Sequence, residues 1–349
     1  MITVGFTYDL RDDYLAQGFS LEATAEFDSA ETIDSIERAL LGYGVNVEKI
    51  GNIQALTKAL ASGRRWDIVF NICEGLQGIG REAQVPALLE AYEIPFVFSS
   101  ADVMVLTMNK ALAKLVVSQR GIPTAPFTLI ENLESCTDFN LPFPVFAKPL
   151  AEGTGKGISA KSFVTNPADL KAVCGEIIEK FNQPVLVETY LPGRDLTVGI
   201  LGSGTQAKVI AVMETYYQPG AEVGSQSYFN KENWKKVLTY GLIEDETAKM
   251  AADVALRCWQ ALGCLDGGRV DLRCDHNGVP NFLEVNTIAG LHPTHSDLPM
   301  LSRMVGIEHT QLIHHIMANA LARYGLSISS ASDFKNKALN NKEIALELE

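Results

Sequence analysis

The 349 residues hold no uninterrupted apolar run long enough to span a bilayer, and the N-terminus lacks the basic-then-apolar layout of a signal peptide. The chain therefore reads as cytoplasmic, with no membrane partner. Positive charge is scarce: 29 Lys and Arg against 42 Asp and Glu leave a formal net charge of -13. Sequence-independent binding to nucleic acid needs a basic surface that releases counterions, so nucleic acid is not expected as a partner either. The six cysteines lie far apart and form no C-x-x-C pair, which suits buried reduced thiols better than a zinc site or a disulfide frame. No G-x-G-x-x-G follows the first strand-like run, so a dinucleotide-binding domain is not supported.

What is present is a chain too long for one hydrophobic core, which predicts two or three domains around a cleft. In the first hundred residues strand-like runs (2–8, 45–50, 66–73, 94–98) alternate with helical ones (29–41, 82–92), the pattern of a parallel sheet covered by helices. Ligands of such sheets bind beyond the carboxyl ends of the strands, here at Tyr8-Asp9, Cys73-Glu74-Gly75 and Ser99-Ser100. A helix is expected over 108–120, strands over 145–148, 158–164, 183–190 and 195–201, a long helix over 245–262 and a last helix over 307–324. His292 and His295 form an H-x-x-H pair in a loop, read as loop packing or substrate contact before zinc. His314 and His315 sit in the last helical pattern as surface or boundary residues.

Two segments carry chemistry. Residues 152–157 (EGTGKG) lie between strand-like runs, where their glycines most simply make a hairpin turn. Three alternating glycines with Thr154 and Lys156 also expose backbone N–H donors and a cation to an anion. Near the C-terminus Asn277-Gly278 is a two-residue turn signal. With those two residues as the loop, Asp271 faces Glu284 and Arg269 faces Asn286 on one side of a hairpin, while Val270, Leu272, Leu283 and Val285 face a core. Facing carboxylates repel unless a cation or solvent intervenes. Two carboxylates and an Asn carbonyl suit Mg²⁺, with phosphate oxygens completing its shell.

These residues resemble the ATP-grasp superfamily and, within it, the D-alanine–D-alanine ligases. The resemblance spans most of the chain and rests on Phe70-Asn71 with Glu74-Gly75, Met108-Asn109-Lys110, residues 144–157, Val187-Glu188 through Thr197, residues 268–273 (GRVDLR), 282–287 (FLEVNT) and Gly290. It implies an α/β protein, α+β in its C-terminal half. The expected parts are an N-terminal parallel α/β domain (1–104), a central lid (105–195), a C-terminal catalytic domain with an antiparallel sheet (196–326) and a polar tail (327–349). ATP would be gripped between two antiparallel sheets, with Mg²⁺ or Mn²⁺. By position, Lys110, Lys148 and Lys231 would contact phosphates beneath the loop carrying Thr154 and Gly155. Glu188, Leu191 and Asp195 would receive adenine and ribose. Asp271, Glu284 and Asn286 match the family's metal ligands, Arg269 and the Gly290 amide its oxyanion donors, and Ser296 the residue that binds the second substrate's carboxylate.

The chain departs from the family on the amino-acid side. The N-terminal glycine-rich loop is missing, and Glu22, Glu26 and Asp28 stand near its place. Glu74-Gly75 replaces a His-Gly, followed by Arg81 and Glu82; Glu232 replaces a tyrosine; and the loop after Asn286 is one residue longer. Glu74, Arg81 and Glu82 are thus the candidates for reading the substrate, although Glu82 would favour a helix N-terminus in any case. The expected activity is ATP-dependent carboxylate–amine ligation through an acyl phosphate, on amino acids or peptides, with D-alanine not specified. Ligation of a non-amino-acid substrate, a catalytically inactive ATP-binding regulator and homodimerisation stay open.

Overall fold

The computed structural model describes residues 1–222 and 226–327. Its strands, in chain order, are Thr3–Tyr8 (β1), Asn46–Gly51 (β2), Ile68–Ile72 (β3), Phe127–Ile130 (β4), Val145–Pro149 (β5), Phe163–Val164 (β6), Val185–Thr189 (β7), Asp195–Leu201 (β8), Lys208–Tyr217 (β9), Leu238–Leu242 (β10), Gly267–Cys274 (β11) and Pro280–Asn286 (β12). They form a parallel sheet β2-β1-β3 and two antiparallel sheets, β4-β7-β5-β6 and β10-β9-β8-β11-β12. A mixed α/β chain with its parallel sheet first and its antiparallel sheets later is the fold class read from the sequence.

Local signals placed several elements. Ser29 accepts from Thr32 N and starts the helix Ala30–Gly42; Asp245 accepts from Ala248 N and starts Glu246–Leu262, which ends at Gly263. The helix expected over 108–120 is Lys110–Gln119, and a second helix, Ala101–Met108, not expected from the sequence, precedes it. Asn109 leaves helical geometry between them, and its side chain accepts from Leu112 N. Residues 94–98 are not a strand. They make one bridge, Val69 to Phe96, because Pro95 has no N–H and Phe98 sits at φ 76, where its N–H turns to Asp266 Oδ2 at 2.8 Å. Residues 158–164 shrink to the two-residue β6, so 152–157 is no hairpin turn but part of a long excursion between β5 and β6.

The C-terminal hairpin needs a correction at its tip. Asp275 pairs with Val279, not with Pro280, leaving a three-residue loop in which only Gly278 has positive φ (81°). The Asp275 carboxylate accepts from Asn277 N (2.8 Å) and Val279 N (2.9 Å), which favours this wider turn. A bulge between Asp271 and Leu272 then restores the register, so Asp271 still pairs with Glu284 and Arg269 with Asn286. The bulge also exchanges neighbours: Phe282 takes the core position opposite Leu272, and Leu283, expected in the core, faces the cleft.

Packing divides the molecule unevenly. One core joins β1 and β3 (Val4, Phe6, Phe70) to the helix His309–Arg323 (Leu312, Ile316) and to Ile288 and Leu298. A second fills the space between the five-stranded sheet and the helix Glu246–Leu262, around Trp259. The sheet β4-β7-β5-β6 has its own core with the helix Pro167–Phe181. Among the described residues no helix is long and apolar enough to cross a membrane, and the six cysteines are free thiols, five of them buried. The tail expected over 327–349 lies, but for its first residue, outside the described residues.

Candidate active site

Alternation along β11 and β12 puts Arg269, Asp271, Glu284 and Asn286 on one face, at the floor of the cleft. The two carboxylates do not confront each other bare. Asp271 accepts from Thr197 Oγ1 (3.0 Å) and Asn286 Nδ2 (3.1 Å) and contacts Arg269 Nη1; Glu284 Oε2 lies 3.3 Å from Lys110 Nζ. Burial raises the Asp271 carboxyl, with Arg269 opposing. Burial would raise Glu284 as well, but Lys110, Lys148, Lys231 and Arg269 pull it down to about 2. No group of three or more His, Cys, Asp or Glu among the described residues is set to hold a metal. That suits Mg²⁺, which takes one or two protein carboxylates and completes its shell with phosphate and water. It also leaves His292 and His295 without a third zinc ligand.

On the lid side, a narrow cleft runs past Phe146, Lys148, Leu191 and Asp195. Glu188, 3 % exposed, receives Lys148 Nζ (2.8 Å) and Lys114 Nζ (2.9 Å), and those cations bring it to about 2 against the upward push of burial. Lys114 is fully buried and also donates to Thr124 Oγ1 and Phe282 O, both at 3.0 Å, tying the lid to β12. Asp195 accepts from Tyr217 Oη, with Gln226 Nε2 at 3.4 Å. The glycine-bearing loop closes over the cleft on an internal anion. Glu26 accepts from Gly153 N (2.8 Å), Lys156 Nζ (2.7 Å) and Arg81 Nη2 (3.0 and 2.9 Å).

On the other side of the Asp271–Glu284 face opens a cavity of about 680 Å³. Its walls include Glu74, Glu82 and Asp28 from the N-terminal part, Thr154 from the glycine loop, Lys231, and Gly290 and Ser296 from the loop after β12. Ser296 Oγ accepts from His292 N at 3.1 Å, so its own hydrogen is free to point at a ligand. A Cβ at Gly290 would stand 2.8 Å from that oxygen, so a larger residue there would turn the Ser296 hydroxyl away. Arg81 differs from its expected place: it is 5 % exposed, bound to Glu26 and to Ala151 O (2.8 Å), and lies behind the wall rather than in it.

Burial is the main cause that carries Glu82 and Asp28 up to about 7. Between the ordinary carboxyl range and about pH 7 the unfolded chain gives up protons that the folded chain keeps. Stability therefore falls across that window and levels above it. Glu82→Gln should raise the thermal midpoint of the nucleotide-free protein at about pH 8 and flatten its decline between about pH 5 and 7. A variant whose midpoint follows the wild-type curve across that range would remove Glu82 as its source.

The structure thus gathers Lys110, Lys148, Gly155, Glu188, Leu191, Asp195 and Lys231 around the lid-side cleft, and Glu74, Glu82, Gly290 and Ser296 around the cavity beyond. Lys114, one helical turn after Lys110 among Ala111, Ala113 and Val117, is a participant that sequence reasoning missed. A lysine on an otherwise apolar helix face was the available signal. The profile described as D-ala D-ala ligase C-terminus matches residues 116–318. The uncharacterised protein y4sG of Sinorhizobium fredii is 32% identical over 260 residues, 74% of this chain and 75% of that one. The D-alanine–D-alanine ligase of Bordetella petrii is 30% identical over 82% of this chain and 86% of its own. In structure, the D-alanine–D-alanine ligase of Bacillus anthracis complexed with ATP superposes with a TM-score of 0.70 at 20% identity, covering 93% of this chain and 98% of that one. Floor, lid and cavity lie within a chain that belongs to the D-alanine–D-alanine ligase family of ATP-grasp proteins, ADP-forming ligases that use ATP and a divalent metal.

Proposed function

We propose that this chain joins the carboxylate of one amino acid or peptide to the amine of a second, in the cytoplasm, through an acyl phosphate. The observation that carries the reading is the Arg269, Asp271, Glu284 and Asn286 face, set between the glycine loop and a cavity large enough for two small substrates. Residues 105–195 act as the lid, 1–104 as the substrate wall and 196–326 as the catalytic body.

Lys148 and Lys231 neutralise phosphate charge, and the Gly153 amide and Lys156, both bonded to Glu26, bring further donors to the same loop. Glu188, Leu191 and Asp195 receive the nucleoside. Asp271, Glu284 and Asn286 would hold a divalent metal, which would supply positive charge against the phosphoryl oxygens. A carboxylate oxygen of the first substrate bonds to the terminal phosphorus of ATP, and the bond to the bridging oxygen breaks with ADP leaving. The amine nitrogen of the second substrate then bonds to the carbonyl carbon. Arg269 and the Gly290 N–H steady the oxyanion while Ser296 holds the second carboxylate. The C–O bond to phosphate breaks, phosphate departs with the electron pair, and the nitrogen loses its proton. Glu74 and Glu82 face the first substrate, with Arg81 holding the wall behind them.

The test is ADP release with ATP, Mg²⁺ and pools of D- and L-amino acids, with products identified by mass spectrometry. An amide product dependent on two pool members is expected. Nucleotide binding without turnover on any pool would favour the inactive regulator, and ADP release only with a non-amino-acid carboxylate or amine would favour the other ligase class.

A further inference from the structure

The cavity beyond the Asp271–Glu284 face is charged on most sides, but one wall is not. Four rings follow one another along it: Tyr240 to Trp234 at 6.3 Å between centroids, Trp234 to His295 at 6.4 Å, and His295 stacked on His292 at 3.6 Å with 29° between planes. All four line the cavity. The row ends where His292 Nε2 meets Glu31 at 3.4 Å. Tyr240 and Trp234 are half-buried, and His295 is exposed. Partial desolvation, with His292 adding to it, lowers the His295 imidazole below its usual value, and His292 is lowered as well, so neither ring carries charge near neutral pH. Lys235 Nζ stands 5.6 Å from the Trp234 ring.

Ser296, whose free hydroxyl faces the cavity, lies in the same turn as His292 and His295. A ligand whose carboxylate reaches that hydroxyl shares its cavity with the rings. The methyl group of alanine would cover a fraction of that surface and leave the rest against water, whereas a flat apolar side chain would stack on it. The geometry points to an α-amino acid with an aromatic side chain, its free carboxylate at Ser296 and its ring on Trp234 and His295, as the amine substrate. The inference rests on the ligase reading for which substrate this is, but not for the binding itself.

The decisive measurement is calorimetric binding of D- and L-phenylalanine and D- and L-alanine to the full chain loaded with ADP and Mg²⁺. One hand of phenylalanine should bind at least about tenfold tighter than the same hand of alanine. Trp234→Phe should keep that ratio, and Trp234→Ala should reduce it to within about twofold. If Trp234→Ala does not fold, His295→Ala, at an exposed ring, carries the comparison and should lower the ratio by about threefold. In turnover the same preference should appear in the KM for the amine rather than in kcat. Equal binding of phenylalanine and alanine, binding of neither, or a ratio unchanged in both ring variants would overturn the inference. Selective binding without ADP release would sink the ligase reading and leave the aromatic surface standing; amide formation with alanine preferred would do the reverse.

Discussion

Glu284→Gln should cut ADP release by about a thousandfold, close to 4 kcal/mol of transition-state stabilisation, in a protein that still folds at neutral pH. The charge of Glu284 is held on by the lysines around it, and it is one of two carboxylates on the reactive face. Its loss removes a hard oxygen ligand where phosphoryl charge develops. Folding suffers as well, since the charge those lysines stabilise is lost, but Lys110 keeps its bond to Glu152 O at 2.7 Å when the contact to Glu284 goes. Asp271→Asn should be as inactive and less stable, since Arg269 would be left with Asp297 at 3.7 Å as its remaining acidic partner among the described residues. Wild-type turnover in Glu284→Gln, or a loss of activity that simply follows unfolding, would refute the assignment.

Lys114→Met should destabilise the protein by about 3 kcal/mol, the lower end of the cost of breaking a buried ion pair, because Lys148 still faces Glu188. Chemical denaturation checks the size. Adding Glu188→Gln should recover part of the loss, since the stranded charge is then gone. The acid limb gives a second readout. Glu188, held at about 2, contributes stability above the ordinary carboxyl range that disappears as pH falls toward 2. With Lys114 removed that decline should be shallower. A variant as stable as wild type at neutral pH would mean that the pair is screened, against its burial.

Much of the reactive face was legible because a strand has period two. Once a turn was located, the neighbours of Asp271 and Arg269 followed. The turn itself was misread by one residue, and the pairs came out right because the bulge opposite Leu272 cancelled the error. The cations that the protein itself sets beside the facing carboxylates were not legible. Lys110 and Arg269 already neutralise them, and a lysine so distant in sequence cannot be paired with Glu284 from spacing alone. Glu26 is 127 residues from the glycine whose amide it accepts. The aromatic row likewise joins β10, a short helix and a loop that only the fold brings together. Residues 94–98 show the opposite failure, where an apolar run had strand composition but Pro95 and a buried Asp266 dictated its backbone.

The N-terminal sheet shares a core with the last helix and with the loop after β12, while the lid has a core of its own. The segment from Lys110 to Thr124 runs between them, with Lys114 bonded to Glu188 on one side and to Phe282 O on the other. The wall bearing Glu74 and Glu82 and the loop bearing Ser296 belong to one solid body. On the proposed function their spacing would work as a fixed ruler for the joined product, and a longer substrate would have to be met by a change in one of those two walls.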